Sequence, residues 1–123
     1  MLKKLLEFLE NKEIVILGFG KQGESTYKFL RRNFPEKRID IMDENFNLFE
    51  KHPELEEDIN CEVILGKLNI DILEKYNLII KAPGISLKDY NIENIKEKIT
   101  SQYELFLKYV NLFSIGITGT KGK

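Results

Sequence analysis

The segment Glu13-Ile14-Val15-Ile16-Leu17-Gly18-Phe19-Gly20-Lys21-Gln22-Gly23 joins an aliphatic run to a glycine-rich turn. The run Glu13–Leu17 predicts a strand that is buried on both faces, as in a parallel sheet. The glycines fit G-x-G-x-x-G between this strand and a helix predicted over 22–33. In such a turn the first glycine makes the tight bend, the second lets the backbone approach a phosphate, and the third allows close packing of helix on strand. The candidate ligand contacts of this nucleotide-binding turn are Gly18, Gly20, Lys21, Gln22 and Gly23.

Outside this segment, predicted strands and helices alternate along the chain. Strands are predicted over 38–42, 62–65 and 78–81 and near 99–100, and helices over 2–11 and 91–98, with short helical turns within 45–57 and 70–76. Ser101 and Glu104 form a capping-box pattern at the start of a further helix. Because right-handed crossovers place helices on both faces of a parallel sheet, we expect an α/β, Rossmann-like three-layer domain with a mostly parallel sheet of about five strands.

The composition excludes several classes of protein. Of the 123 residues, 42% are hydrophobic and 32% are charged, and 19 basic residues oppose 20 acidic ones. This balance argues against a nucleic-acid partner, which requires a basic surface, and no apolar run is long enough for a transmembrane helix. The single cysteine, Cys61, excludes an internal disulfide framework and fits a reducing compartment. We therefore expect a cytoplasmic globular domain with no membrane partner.

Two more loops are predicted at the edge of the sheet where the glycine turn lies. Asp43 ends the second strand, where a carboxylate can accept hydrogen bonds from a ribose or a base, and Glu44 and Asn45 follow it. Ala82-Pro83-Gly84-Ile85 follows the fourth strand and forms either a second wall of the crevice or an ordinary turn. This pattern leaves the nucleotide open among NAD, FAD, S-adenosylmethionine and UDP-sugars, but Asp43 would repel the 2′-phosphate of NADP.

The end of the sequence carries a third feature, Gly119-Thr120-Lys121-Gly122-Lys123, after a strand predicted over 113–118. A strict P-loop pattern fails, because Ile117 stands at the position of its first glycine and no serine or threonine follows Lys123. A glycine-rich loop with a lysine is nevertheless typical of a phosphate cradle. We expect a piece of a longer chain that ends inside a phosphate loop; a basic tail is the alternative.

Together these motifs resemble those of the Mur ligases of peptidoglycan synthesis. The resemblance is carried by the glycine turn, Asp43, Pro-Gly-Ile-Ser at 83–86, Gln102–Phe106 and Ile-Thr-Gly-Thr-x-Gly-Lys at 117–123. Within the family, the glycine turn combined with Pro-Gly-Ile-Ser is most similar to the D-glutamate-adding members. The chain departs from the family pattern at Ala82, where serine or asparagine is frequent, and at Glu44 and Asn45, where a hydroxyl residue and then a basic residue are frequent.

The resemblance implies a three-domain, ATP-dependent ligase whose substrates are UDP-N-acetylmuramoyl-L-alanine, D-glutamate and ATP, with Mg²⁺. Residues 1–110 would form the UDP-substrate-binding domain, and 111–123 would begin the central ATP-binding domain. The implied UDP contacts are Gly18, Gly20, Lys21, Gln22, Gly23, Asp43, Glu44, Asn45, Ala82, Pro83, Gly84 and Ile85, and the implied ATP-phosphate contacts are Gly119, Thr120, Lys121, Gly122 and Lys123. We expect a monomer with no catalytic residue, no metal ligand, no tightly bound cofactor and no ligase activity within these 123 residues.

Two other classes of protein remain open. An NAD-binding regulatory domain of a cation-transport system, and the cofactor domain of an NAD-dependent dehydrogenase, would both share the glycine turn and Asp43. Neither accounts for Gly119–Lys123. Among the remaining side chains, we expect His52 in a surface loop, Cys61 as a small core or edge residue, and Tyr103 and Phe106 in the core.

Overall fold

The computed structural model describes residues 2–109 and confirms the predicted α/β architecture. Its strands are β1 (Ile14–Leu17), β2 (Ile39–Asp43), β3 (Val63–Leu65), β4 (Leu78–Lys81) and β5 (Ile99–Thr100). All pairings are parallel, and the strand order is β3-β2-β1-β4-β5. The chain therefore runs outward on one side of β1 through β2 and β3, and on the other side through β4 and β5. This reversal creates a crevice at the carboxyl ends of the central strands, where open α/β sheets bind ligands.

The helices cover the sheet. They are α1 (Leu2–Glu10), α2 (Lys21–Asn33), α3 (Leu48–Lys51), α4 (Glu54–Glu57), α5 (Ile70–Leu73) and α6 (Gln102–Tyr109), with a 3₁₀ turn at Lys96–Lys98. Among the described residues, no helix has the length and apolar character needed to cross a membrane. Residues 110–123, which include the predicted strand 113–118 and the candidate ATP contacts Gly119–Lys123, lie outside the described residues.

The predicted helix over 91–98 is wrong. The Asn91 side chain accepts a hydrogen bond from the backbone N–H of Glu93, and a turn follows in which Ile95 is fully buried. The 3₁₀ turn Lys96–Lys98 follows directly, and strand β5 begins at Ile99, so no α-helix forms between Asn91 and β5. The apolar spacing of Ile92 and Ile95 fits such a turn as well as a longer helix.

The core lies on both faces of the sheet, as the aliphatic run predicts. Alternate residues of β1 point to opposite faces, so Ile14 and Ile16 pack on one side and Val15 and Leu17 on the other. The first side is covered by α1, α2 and α6 and by the short helices α3 and α4. The second is covered by α5 and by the segments around Leu68 and Ile95. Apolar side chains therefore cover both faces of the central strands, and the crevice at the edge of the sheet lies above this packed core.

Helix α6 begins with the Ser101 half of the predicted capping box. The Ser101 hydroxyl accepts the backbone N–H of Glu104 at 3.1 Å. Phe106 packs against the core and meets Phe29 edge to face, as expected. The same expectation is wrong for Tyr103, whose side chain is 67% exposed. Tyr103 precedes the buried Leu105 by two residues, and residues two apart in a helix lie on opposite sides of it.

Candidate functional site

The glycine turn after β1 divides its three glycines between two tasks. Gly18 has φ +92°, and a Cβ there would lie 2.8 Å from Cγ1 of Ile85. A Cβ on Gly23 would lie 2.1 Å from the carbonyl oxygen of Gly18. At Gly20, in contrast, no atom of the described residues lies within 4 Å of the Cβ position. The first and third glycines are thus required by the fold, while the second leaves an open backbone face that a ligand can approach.

The open face of Gly20 leads directly to the start of α2. Gly20 is the N-cap residue of this helix, and its extended backbone places the N–H groups of residues 21–23 in the first turn. Within the described part of the chain, no side chain at the N-cap accepts a hydrogen bond from this turn. First-turn N–H groups and the positive end of the helix dipole favour an anion. Lys21 is exposed here and lines a groove of about 400 Å³ between α2 and α6.

Asp43 joins the loops that follow β1 and β2. One carboxylate oxygen accepts the backbone N–H of Phe19 at 2.7 Å, and the other accepts the backbone N–H of Asn45 at 2.7 Å. The sequence suggests Asp43 as a ribose or base acceptor, but the first contacts of its carboxylate are within the protein. Each oxygen keeps a second lone pair, so Asp43 can hold the loops and still accept a hydrogen bond from a ligand. Of its neighbours, Glu44 is exposed.

Phe19 and His52 anchor the glycine turn from below, and sequence reasoning missed both. Phe19 is 3% exposed, and its ring meets Tyr27 at 5.9 Å and His52 at 4.8 Å, both edge to face. His52 lies in the loop between α3 and α4, as predicted, but its side chain is only 17% exposed and packs against Phe19 instead of facing solvent. The turn after α3 brings it under the glycine turn. The sequence does contain a signal for this contact: Phe19 is an aromatic residue between the first two glycines, and its ring needs other side chains to pack against.

A polar cluster surrounds His52. Its Nδ1 atom lies 3.8 Å from a carboxylate oxygen of Glu24 and 3.5 Å from one of Glu54. The three ligand atoms lie within 4.8 Å of one another, and imidazole and carboxylate groups are metal-ligand types. The same Glu24 oxygen, however, lies 3.2 Å from the ammonium of Lys28. We therefore interpret the cluster as a set of polar contacts, anchored by the Lys28–Glu24 ion pair, that fixes His52 and, through it, Phe19.

The loop after β4 forms the opposite wall of the crevice. The ammonium of Lys81 donates to the carbonyl oxygens of Ala82 at 3.2 Å and Ile85 at 2.8 Å, and so closes the Pro83-Gly84 turn. The backbone N–H of Ala82 donates to the Leu17 carbonyl at the end of β1. Sequence reasoning did not select Lys81, although a lysine at the end of a buried strand requires a polar partner nearby.

The structure brings the sequence-predicted residues together at one edge. Gly18 contacts the second wall through Ile85, and Asp43 holds the glycine turn through Phe19. Pro83 and Gly84 are exposed on the far side of the crevice. Gln22, Gly23 and Ala82 line a small recess between the two walls.

Two comparisons with known proteins agree with this geometry. The family model described as "Mur ligase MurD-like, N-terminal domain" matches residues 12–101, which include all three loops of the crevice. The UDP-N-acetylmuramoylalanine--D-glutamate ligase of Ligilactobacillus salivarius is 29% identical over 98% of this chain and 26% of its own length. The protein of the same name from Clostridium botulinum strain Hall is 30% identical over 98% of this chain and 27% of its own length.

The chain thus spans about a quarter of the length of the curated relatives it matches. The family match covers the helices and strands that build the crevice, from the residues before β1 to the residue before α6. The resemblance seen in the sequence motifs is confirmed, and the chain belongs to the family of MurD-like Mur ligase N-terminal domains.

Proposed function

We propose that this chain binds the UDP moiety of UDP-N-acetylmuramoyl-L-alanine, as the N-terminal domain of a longer ligase that adds D-glutamate during peptidoglycan synthesis. The observation that carries the proposal is the convergence of three loops, after β1, β2 and β4, on the glycine turn: Gly18 packs against Ile85, Asp43 accepts the N–H of Phe19, and the backbone face of Gly20 is left open. The names of the two relatives support the choice of substrate. The alternative cofactor NAD would use the same edge of the sheet and is therefore included in the test.

The proposed arrangement assigns each part of the ligand to a loop. The diphosphate lies against Gly20 and the free N–H groups of Lys21, Gln22 and Gly23, where the helix dipole offsets its charge. The ribose and base lie toward Asp43 and its neighbours, and the wall at 82–85 closes the other side. The exposed Glu44 carboxylate must stay away from the diphosphate, because two negative groups in contact would repel each other.

In the longer enzyme, this domain would hold and orient the substrate while the chemistry occurs elsewhere. Residues 1–110 would form the substrate domain and 111–123 the start of the central ATP-binding domain, with Gly119–Lys123 on the ATP phosphates. In the presence of Mg²⁺, ATP would transfer its γ-phosphoryl group to the substrate carboxylate, giving ADP and an acyl phosphate. The amine of D-glutamate would then attack the acyl carbon, lose a proton and displace inorganic phosphate to form the amide bond. By fixing the substrate in one position, the domain would lower the entropy cost of bringing the reacting groups together. We propose a cytoplasmic monomer as the working state.

The test is a backbone NMR titration of the 123-residue chain with UDP-N-acetylmuramoyl-L-alanine, with UDP and with NAD. The proposal predicts amide shifts at 20–23, 43–45 and 82–85 with both UDP compounds and none with NAD. Shifts at these loops with NAD alone would replace the ligase domain with a dinucleotide-binding one. The variant Gly20→Ala should fold normally but lose the UDP response, because its methyl group fills the open face.

A further inference from the structure

Phe46 is a large apolar side chain that is 74% exposed and lies at the same edge of the sheet as the crevice. It follows the end of β2 by three residues. Single exposed apolar residues are common in folded proteins, so exposure alone carries no argument. The position and support of Phe46 distinguish it from Ile59, which is 93% exposed in the loop before β3, at the opposite edge of the sheet.

The backbone that carries Phe46 is held on both sides. The N–H of Asn45 donates to Asp43 at 2.7 Å, and the Asn45 side chain accepts the N–H of Asn47 at 2.9 Å. The N–H of Leu48 donates to the Asn45 carbonyl at 3.1 Å, and Leu48 itself is buried. An aromatic ring on such a fixed support loses little conformational entropy when it binds a ligand.

The Phe46 ring extends across the edge from β2 to β3. Its Cζ atom lies 3.4 Å from the position that a Cβ on Gly66 would occupy, so the ring rests beside the turn that follows β3. Gly66 has φ +116°, and its N–H donates to the Asp43 carbonyl at 3.0 Å. Asp43 thus fixes three features at once: the glycine turn, the segment of Phe46 and the turn beneath the ring.

A nucleotide placed as proposed extends in this direction. With its diphosphate at the start of α2 and its ribose near Asp43, the ligand runs from the end of β1 across the end of β2. The next group along the ligand is the base, and the next surface along the edge is the exposed ring of Phe46. Base–aromatic stacking is a common way for proteins to hold a nucleobase, since every base offers a π face.

We propose that Phe46 stacks on the nucleobase of the bound nucleotide and so acts as a positioning contact for its uracil end. This inference rests on the proposed function, because it takes the position of the diphosphate and ribose from it. It assigns the base to the side of β2 that faces β3, between the segment after β2 and the turn at Gly66.

The test measures binding of UDP and of inorganic pyrophosphate by calorimetry to the parent chain and to three variants. Phe46→Ala should weaken UDP binding about tenfold and leave pyrophosphate binding unchanged, because pyrophosphate has no base. Phe46→Tyr should retain UDP binding, since its ring stacks equally well. Ile59→Ala, the matched control, should bind UDP like the parent. In a second measurement, the fluorescence of Phe46→Trp should be quenched by UDP and not by pyrophosphate.

The outcomes separate this inference from the proposed function. If Phe46→Ala binds UDP as tightly as the parent while Gly20→Ala does not bind it, the crevice holds UDP and the stacking contact is refuted. If Phe46→Ala weakens UDP and pyrophosphate equally, the ring shapes the loops instead of contacting the base, and the inference is again wrong. If the parent binds neither ligand, the proposed function fails and the stacking contact fails with it.

Discussion

Replacing Gly23 by alanine should destabilise the domain, although the same change in most helices is favourable. In an exposed helix interior, alanine is more stable than glycine by about 1 kcal/mol. Here the new Cβ would lie 2.1 Å from the carbonyl oxygen of Gly18, far inside van der Waals contact with a backbone atom that cannot rotate away. Overpacking of this kind costs about 1–3 kcal/mol and sometimes more. A contact this short belongs at the upper end of that range, about 3 kcal/mol, and subtracting the helix-propensity gain of about 1 kcal/mol leaves an expected net loss of about 2 kcal/mol.

Gly20→Ala is the matched control within the same turn. Gly20 has φ −81°, which any residue adopts, and the Cβ position is open. Alanine is a poorer N-cap residue than glycine, which destabilises the helix, but it also makes the unfolded chain stiffer, which stabilises the fold. Each effect is below about 1 kcal/mol and the two are opposite in sign, so the free energy of unfolding should stay within about 0.5 kcal/mol of the parent. Its effect should instead appear in UDP binding.

The free energy of unfolding of both variants is measured by urea denaturation, followed by far-ultraviolet circular dichroism. For a domain of this size, a loss of about 2 kcal/mol also corresponds to a melting temperature roughly 8 °C lower. The comparison requires equal denaturant slopes, so that the change in midpoint reports stability. A Gly23→Ala variant as stable as the parent would show that α2 can move away from β1, and would refute the close packing from which the crevice is argued.

Two further predictions concern the supports of the site. Burial alone would raise the pKa of Asp58, but hydrogen bonds from Tyr27, the Asn60 backbone and Arg31 hold this pKa below its usual range. The stability that Asp58 contributes is therefore present above about pH 4 and is lost as the pH falls further. As the pH is lowered from about 5 to about 2, the urea midpoint should fall below about pH 4 in the parent and fall less in Asp58→Asn. Burial and the hydrogen bond to Asp58 raise the pKa of Tyr27 to about 12. The free energy of unfolding should therefore also fall as the pH rises from about 10 to 12, and the Tyr27→Phe variant should lack this alkaline loss. Lys81→Met removes the donor to the Ala82 and Ile85 carbonyls and should weaken UDP binding by about 1 kcal/mol in calorimetry; unchanged binding would show that the turn holds its shape without the ammonium.

The fold could be predicted from the sequence because its strands are short, continuous and aliphatic. The run Ile14–Leu17 is buried throughout, and the order of strands and helices leaves few topologies for a parallel sheet. The segment 91–98 could not be predicted correctly, because two isoleucines three residues apart fit a tight turn and a longer helix equally well. What decides between them is the tertiary packing of this segment, in which Ile95 is fully buried against the second face of the sheet.

The site could be predicted in its backbone but not in its side chains. The glycine pattern locates Gly18, Gly20 and Gly23, since their roles follow from steric rules that act over a few residues. The contacts of His52 and Lys81 depend on which elements meet at the crevice, and spacing along the chain does not contain that information. The same holds for Asp58, which belongs to an acidic run but is buried against Arg31.

The side chains that shape the crevice mostly point away from the ligand. Phe19 and Ile85 pack beneath and between the loops, and Lys81 closes its turn from the β4 side. The ligand would meet backbone N–H groups, the open face of Gly20 and the lone pairs that Asp43 has left over. Backbone groups cannot be removed by substitution, so affinity at this site can be changed only through the supporting side chains or through an added side-chain contact. Changes at Phe19 or Lys81 should therefore alter nucleotide affinity without any contact to the nucleotide, whereas the proposed stacking contact of Phe46 could be removed with the fold intact.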